Sequence, residues 1–295
     1  MFDFCADPST LPWYSWLACY LTTGTHFNFY GSFVTVLLLL AVTAPVALAF
    51  GFLGATAARS PVAPVSLLGR GYIVAVRGVP DIVYFMFFVI ALDQGIEWFK
   101  HLFVCADLSQ PVWNGNEFSV CSAAKVPLAT SAAIWHKAYA FALAVFTFAI
   151  VFGAFAANVI YGAMQAVPRA QLETAEAYGM TQGQVFRRVL VPQMWIYALP
   201  GLSNLWLILI KATPLLFLLG IQDIVYWARE LGSAKTSGNN PYPHGDWRVY
   251  YFLALLVFYL VFTRVSEIAL SRLTARFSRG QATRAGEDMR KVVAQ

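Results

Sequence analysis

Few residues in this chain could do covalent, metal or acid–base chemistry, and their spacing narrows what that chemistry could be. Four cysteines (Cys5, Cys19, Cys105, Cys121) and four histidines (His26, His101, His136, His244) are present. There is no C-x-x-C spacing and the histidines are scattered, so no metal-ligand set is legible. Cys5 with Cys19, and Cys105 with Cys121, are each far enough apart to close a loop of about 15 residues. Such a bridge contributes roughly 3 kcal/mol where the compartment is oxidising. The other reading is free, buried thiols. No G-x-S-x-G, H-E-x-x-H or G-x-G-x-x-G occurs, and no apolar stretch carries the His/Asp/Glu cluster of a proton relay. Lys235-Thr236 looks like the end of a phosphate loop, but Ala234 precedes it and no glycine sits where that loop would start. The backbone cradle for phosphate therefore cannot form. A chain without nucleophile, metal or nucleotide site that moves anything uphill must take the work from a partner.

The remaining residues place the chain in a membrane. Of 295 residues, 59% are hydrophobic and 12% charged, and the mean hydropathy is +0.61. Ordinary soluble domains are roughly 45–50% apolar and about 25% charged. A soluble fold of this size could not cover itself with the polar residues available. The 24 Phe, 14 Tyr and 9 Trp exclude disorder, and the size excludes a small disulfide scaffold. The expected class is an all-α integral membrane protein.

Spans of about 20 apolar residues, enough for a core of about 30 Å, are expected near Phe33–Leu53, Ile73–Leu92, Ala138–Ile160, Trp195–Ile221 and Val249–Ile268. Segment 1–30 lacks a basic n-region and reads as an aromatic interfacial segment before a membrane domain at 31–279. Arg59, Arg70 and Arg77 lie between or at the ends of the first two spans, Arg169, Arg187 and Arg188 follow the third, and Arg272, Arg276, Arg279, Arg284, Arg290 and Lys291 follow the fifth, running into a tail at 280–295. This excess predicts an outer N-terminus and a cytoplasmic C-terminus, with the tail on anionic lipid and not on nucleic acid. All four cysteines then fall on the outer, oxidising side.

After the third span, within a loop at about 161–194, Pro168 suits a helix start and Gly179 a left-handed cap. A helix of about ten residues is expected between them, with Ala170, Thr174 and Ala177 forming one small-residue face. A second helix, Thr181–Val191, is expected to stop at Pro192 as the chain re-enters the membrane. By itself this knob is either a docking element or a polar connector.

The residues of that loop carry a resemblance. Glu173-x-Ala175-x-x-x-Gly179, nine residues, then Val189-x-Val191-Pro192 resembles the E-A-A…G…I-x-L-P signature of ABC importer membrane subunits, with Thr174 replacing the first alanine. Arg77-Gly78-x-Pro80, Gln165-Ala166-Val167-Pro168, Lys211-Ala212-Thr213-Pro214-Leu215 and Trp227-Ala228-Arg229-Glu230 resemble, in order, further motifs of polar amino-acid permeases, notably the histidine/lysine/arginine/ornithine and opine types. The resemblance runs from about Gly31 to Arg279. It implies a multi-pass permease subunit of the bacterial inner membrane, of the type I ABC importer fold, and not an enzyme. Its partners would be a cytoplasmic ATPase dimer, a second permease subunit and an outer substrate-binding protein. No cofactor is expected on this chain, with ATP and Mg on the ATPase. Glu173, Thr174, Ala175, Ala177, Gly179 and Pro192 would then form the coupling element, and the cargo would be a polar, basic amino acid. An opine cargo and a stand-alone secondary transporter are the alternatives.

Several residues bear on the substrate path. Lys211, deep in the fourth span, either lines a pathway or packs and snorkels; Thr213 lies beside it. Arg77 and Asp81 are one helical turn apart and form either a gate or a structural pair. Asn158 stands where similar permeases for cationic cargo have Glu, and an amide offers only hydrogen bonds. The outer loop at about 93–136 either meets the binding protein or lies along the membrane through Gly95–Phe103. The stretch Gly220–Ser237, with the charges of Asp223, Arg229, Glu230 and Lys235, is the better docking candidate because charges steer encounter.

Overall fold

The computed structural model describes residues 5, 8–75, 78–106, 112–219, 221–236 and 240–277. Helices α1 (Trp13–Leu21), α2 (Gly24–Ala58), α3 (Ala63–Ala75) and α4 (Asp81–Val104) lead to a hairpin of β1 (Trp113–Asn114) and β2 (Glu117–Phe118). Then follow α5 (Ala133–Ala166), α6 (Arg169–Ala177), α7 (Gln182–Val185), α8 (Val191–Ala212), α9 (Ile224–Gly232) and α10 (Arg248–Phe277). Among the described residues, five helical stretches can cross a membrane: Gly24–Ala58, Ile82–Val104, Ala133–Ala166, Gln182–Phe217 and Arg248–Phe277. Pro45 and Pro200 sit inside α2 and α8 without ending them, as neighbouring helices in a membrane permit.

The second span departs from its expected range of Ile73–Leu92. Ile73 belongs to the separate helix α3, and α4 begins only after Pro80. The ring of Pro80 disfavours a helical Val79, so the apolar run is divided there. At its far end α4 continues through Gly95–Phe103 to Val104, so that stretch is one helix with the second candidate span.

By its contacts the chain divides into two units, Met1–Ala41 with Lys211–Phe262, and Val42–Ile210 with Thr263–Gln295. In the second unit α5 is the buried element: 61% of its apolar stretch is covered, against 11% for α4. Its small residues Ala144, Ala149, Ala154 and Ala157 are buried, and Phe148 stacks on Phe85 of α4 at 4.5 Å. Gly51 of α2 approaches so closely that an added Cβ would lie 2.6 Å from that of Ala156. Gly69 of α3 faces the α2 backbone, with an added Cβ 2.7 Å from the Ala57 carbonyl carbon and in collision with Ala58 N. Tyr72 donates to Ile150 O at 2.6 Å, and Ser66 to Ala58 O at 3.1 Å. Lipid gives helices little hydrophobic reason to associate, so such short approaches and polar contacts hold them together.

At the end of α4, Glu97 is buried and accepts from Lys125 Nζ at 2.9 Å and from Val126 N at 3.3 Å. A disulfide joins Cys105, just past α4, to Cys121, with Cα atoms 6.1 Å apart.

In the first unit Cys5 and Cys19 are also joined, with Cα atoms 5.7 Å apart, under an aromatic cluster in which Trp16 stacks on Tyr20 at 5.3 Å. A hydrogen-bond chain runs through this unit. Thr23 Oγ1 meets His26 Nδ1 at 2.7 Å, and His26 Nε2 meets the Tyr251 hydroxyl at 2.7 Å. Tyr251 donates to Tyr20 at 3.3 Å, and Tyr20 meets His244 Nε2 at 3.0 Å.

Asp223 caps α9, accepting from Tyr226 N at 2.9 Å, and is fully buried. It therefore adds no surface charge to the expected docking stretch, whose exposed charges are Arg229 and Glu230, the latter paired with Lys235 at 2.7 Å. Its second oxygen, Oδ2, is buried without a hydrogen bond. Burial pushes the Asp223 carboxyl up from 3.8 to about 6, against the pull of the backbone N–H groups it accepts from.

Two predictions follow from this packing. Gly69→Ala forces a methyl onto the α2 backbone and should cost on the order of 1–3 kcal/mol, lowering the unfolding temperature in detergent. Gly71→Ala, which meets open space, should leave it unchanged or raise it, since alanine favours the helix. Between pH 3.8 and about 6 the folded chain holds a proton on Asp223 that the unfolded chain releases, so stability falls as pH rises through that window. The loss is at most about 3 kcal/mol at roughly 1.4 kcal/mol per unit. Asp223→Asn keeps the cap and should flatten unfolding temperature against pH from 4 to 7; a curve parallel to that of the native chain would refute this.

Candidate functional site

The loop between α5 and α8 is built from its caps outward. α5 ends at Ala166, and Pro168 sets the extended backbone from which α6 starts. α6 is nine residues long and ends in two reciprocal bonds, Gly179 N to Glu176 O at 2.8 Å and Met180 N to Ala175 O at 3.1 Å. This is the Schellman arrangement, and it requires a left-handed residue, which Gly179 supplies at φ 83°.

One face of α6 belongs to the protein. Ala175 is 7% exposed, and Leu172 packs on the core cluster of Ala55, Ile160, Ala163, Met164, Leu190 and Met194. The opposite face is open: Ala170, Glu173, Thr174, Glu176 and Ala177 are exposed, and Tyr178 is 84% exposed. Thr174 returns its hydroxyl to Ala170 O at 2.7 Å, so its outer surface is a methyl group beside two alanines. Ala170, Gln171 and Thr174 line one side of an open cleft of about 440 Å³, with Val189 and Gln193 opposite.

The second half differs from expectation. Thr181 N donates to Gln184 Oε1 at 2.9 Å and starts α7 (Gln182–Val185). The helix does not stop at Pro192. It widens into a π turn over Phe186–Leu190, in which Val191 N reaches back to Phe186 O, and passes straight into α8 with Pro192 as its second residue. A proline in an unbroken α-helix would lose a hydrogen bond and clash with the carbonyl four residues back. The wide turn immediately before it relaxes that geometry. Arg187 and Arg188 lie in this turn.

Of the pathway candidates, Asn158 is exposed on α5, on one face with the exposed Gly162 and Gln165. Lys211 is exposed near the end of α8. Thr213 is fully buried, with its hydroxyl 2.8 Å from that of Tyr259. Arg77 lies outside the described residues, and Asp81 is the first residue of α4. Sequence reasoning missed Asn204, exposed on α8 seven residues before Lys211; an amide two helical turns from a lysine in an apolar span was the available signal. It also missed His101, which the fold brings against Cys105 and Cys121.

Comparison with known proteins gives this geometry a family. Residues 47–279 match the family described as binding-protein-dependent transport system inner membrane component. The histidine/lysine/arginine/ornithine transport system permease protein HisQ of Salmonella typhimurium is 31% identical over 251 residues, covering 85% of this chain and 92% of that protein. The octopine transport system permease protein OccQ of Agrobacterium tumefaciens is 27% identical over 235 residues, covering 80% and 84%. The arginine ABC transporter permease protein ArtQ of Haemophilus influenzae is 34% identical over 140 residues, covering 48% and 59%. A chain in the crystal structure of an amino acid ABC transporter with histidines has the same fold, with a TM-score of 0.60 at 21% identity over 90% of this chain and 99% of that one. This multi-pass chain belongs to the family of binding-protein-dependent transport system inner membrane components.

Proposed function

We propose that the chain is the membrane-spanning subunit of an ATP-driven importer of polar, basic amino acids, and that α6 is the lever through which an ATPase moves it. The observation that carries this reading is the open face of Ala170, Thr174 and Ala177 on a helix fixed at one end by Pro168 and at the other by left-handed Gly179. Small residues let a partner's cleft close onto the helix backbone, and the buried Ala175 and Leu172 pass the displacement to the core beneath. The spans then move as packed bodies between two states. ATP and Mg stay on the ATPase pair, and this chain binds no cofactor.

On this reading α6 and the C-terminal tail face the cytoplasm, the two disulfides lie outside near a substrate-binding protein, and lipid surrounds α4 and α10. Asn158, Asn204 and Lys211 are exposed on apolar spans. Facing lipid they would cost several kcal/mol, so they turn toward a second permease subunit and the aqueous path between the two. Amino-acid cargo is inferred from the names of HisQ and ArtQ. Asn158 favours a second reading, in which the cargo is an opine or another amino-acid derivative bound by hydrogen bonds, as the similarity to OccQ allows.

Reconstitution with the ATPase and binding protein tests the lever. Gly179→Leu places a branched side chain in a left-handed position at about 1–2 kcal/mol and should reduce uptake by an order of magnitude while ATP hydrolysis persists. Gly179→Asn, which tolerates that backbone, should retain most uptake. Unchanged uptake with leucine, or transport by the purified chain without an ATPase, would overturn the assignment.

A further inference from the structure

The end of α4 carries a set of ligand atoms that the transport reading does not use. His101 and Cys105 are one helical turn apart, with Cys105 N donating to His101 O at 3.2 Å, so both side chains leave the same face. The disulfide brings Cys121 to that face from the following loop. One nitrogen of His101 and the two sulfurs all lie within 4.8 Å of one another. His101 is only 6% exposed, and its Nδ1 is buried without a hydrogen-bond partner. A buried imidazole nitrogen left unpaired costs free energy unless something occupies it.

We propose that His101, Cys105 and Cys121 form a zinc site that exists only when the disulfide is open. A dithiol reductant transfers two electrons and two protons to the bridge, giving two thiols and its own cyclic disulfide. Zinc then displaces both thiol protons and is held by two thiolates and one imidazole, with water as the fourth ligand. Two thiolates cancel the charge of a divalent ion, so the loaded site is neutral and can remain buried where a bare cation could not. The loop is already tied to α4 by Glu97, which holds Lys125 and Val126, and by Lys100, whose Nζ donates to Lys125 O at 3.1 Å. Reduction therefore leaves the three ligands close together, and metal takes over the clasp that the disulfide provided.

The full chain in detergent tests this, with Cys5→Ser/Cys19→Ser as background so that only the second bridge is reducible. After reduction and removal of the reductant, Co²⁺ should give thiolate charge-transfer and tetrahedral visible bands at one ion per chain, and Zn²⁺ should displace it. The oxidised chain should give neither. His101→Ala should weaken Zn²⁺ binding by about tenfold or more, and His101→Gln serves as a second variant if alanine perturbs α4. Cys105→Ser/Cys121→Ser should abolish binding with the helical circular dichroism unchanged. Absence of the cobalt bands in the reduced chain, or equal Zn²⁺ affinity after both His101 substitutions, would overturn the proposal.

Discussion

Everything in the larger unit depends on how closely α2 and α3 can approach α5 and each other. Inside a bilayer, exchanging lipid for a neighbouring helix gains little hydrophobic free energy, so stability rests on dispersion across short distances and on the occasional polar clasp. Gly51 against Ala156 and Gly69 against the Ala57–Ala58 backbone create those distances, and Tyr72 and Ser66 add hydrogen bonds from side chain to helix carbonyl. Among the described residues α5 is the one span mostly covered by its own chain, and α6 follows it after two residues. α6 is therefore joined to this well-covered helix by Val167 and Pro168 alone.

The sequence disclosed most of this where a single local rule decided the outcome. Long apolar runs placed five spans, and Pro168 with Gly179 bounded α6 because a fixed φ and a left-handed residue leave few alternatives. It failed where two rules competed. Val79-Pro80 interrupts an apolar run that hydropathy alone reads as continuous, so α3 and α4 merged into one expected span. Pro192 read as a stop, since a wide turn that accommodates a proline leaves no compositional trace. Asp223 read as a surface charge because its neighbours Arg229, Glu230 and Lys235 are polar, whereas its capping role draws it inside. Asn158 stood out in the sequence as an amide in an apolar span, whereas the exposure of Asn204 showed only once the faces of α8 were assigned.

The two disulfides occupy different physical settings. Cys5–Cys19 sits under Trp16, Tyr20 and Tyr242 in an aromatic cluster, where apolar packing already holds the segment. At Cys105–Cys121 both cysteines are half-buried, and beside them stand the ion pair at Glu97 and the lysine contacts. The first bridge lies within an aromatic core; the second lies beside a polar clasp.

The π turn at Phe186–Leu190 has a consequence beyond seating Pro192. Each residue advances an α-helix by about 100°, so the additional residue held in that turn sets the rotational phase of the whole of α8. Winding these same residues at ordinary pitch, with none removed, would swing α8 by about a quarter revolution and take the exposed Asn204 off its present face. The orientation of a polar stripe some 20 Å along the span is thus fixed by a single widened turn at its root.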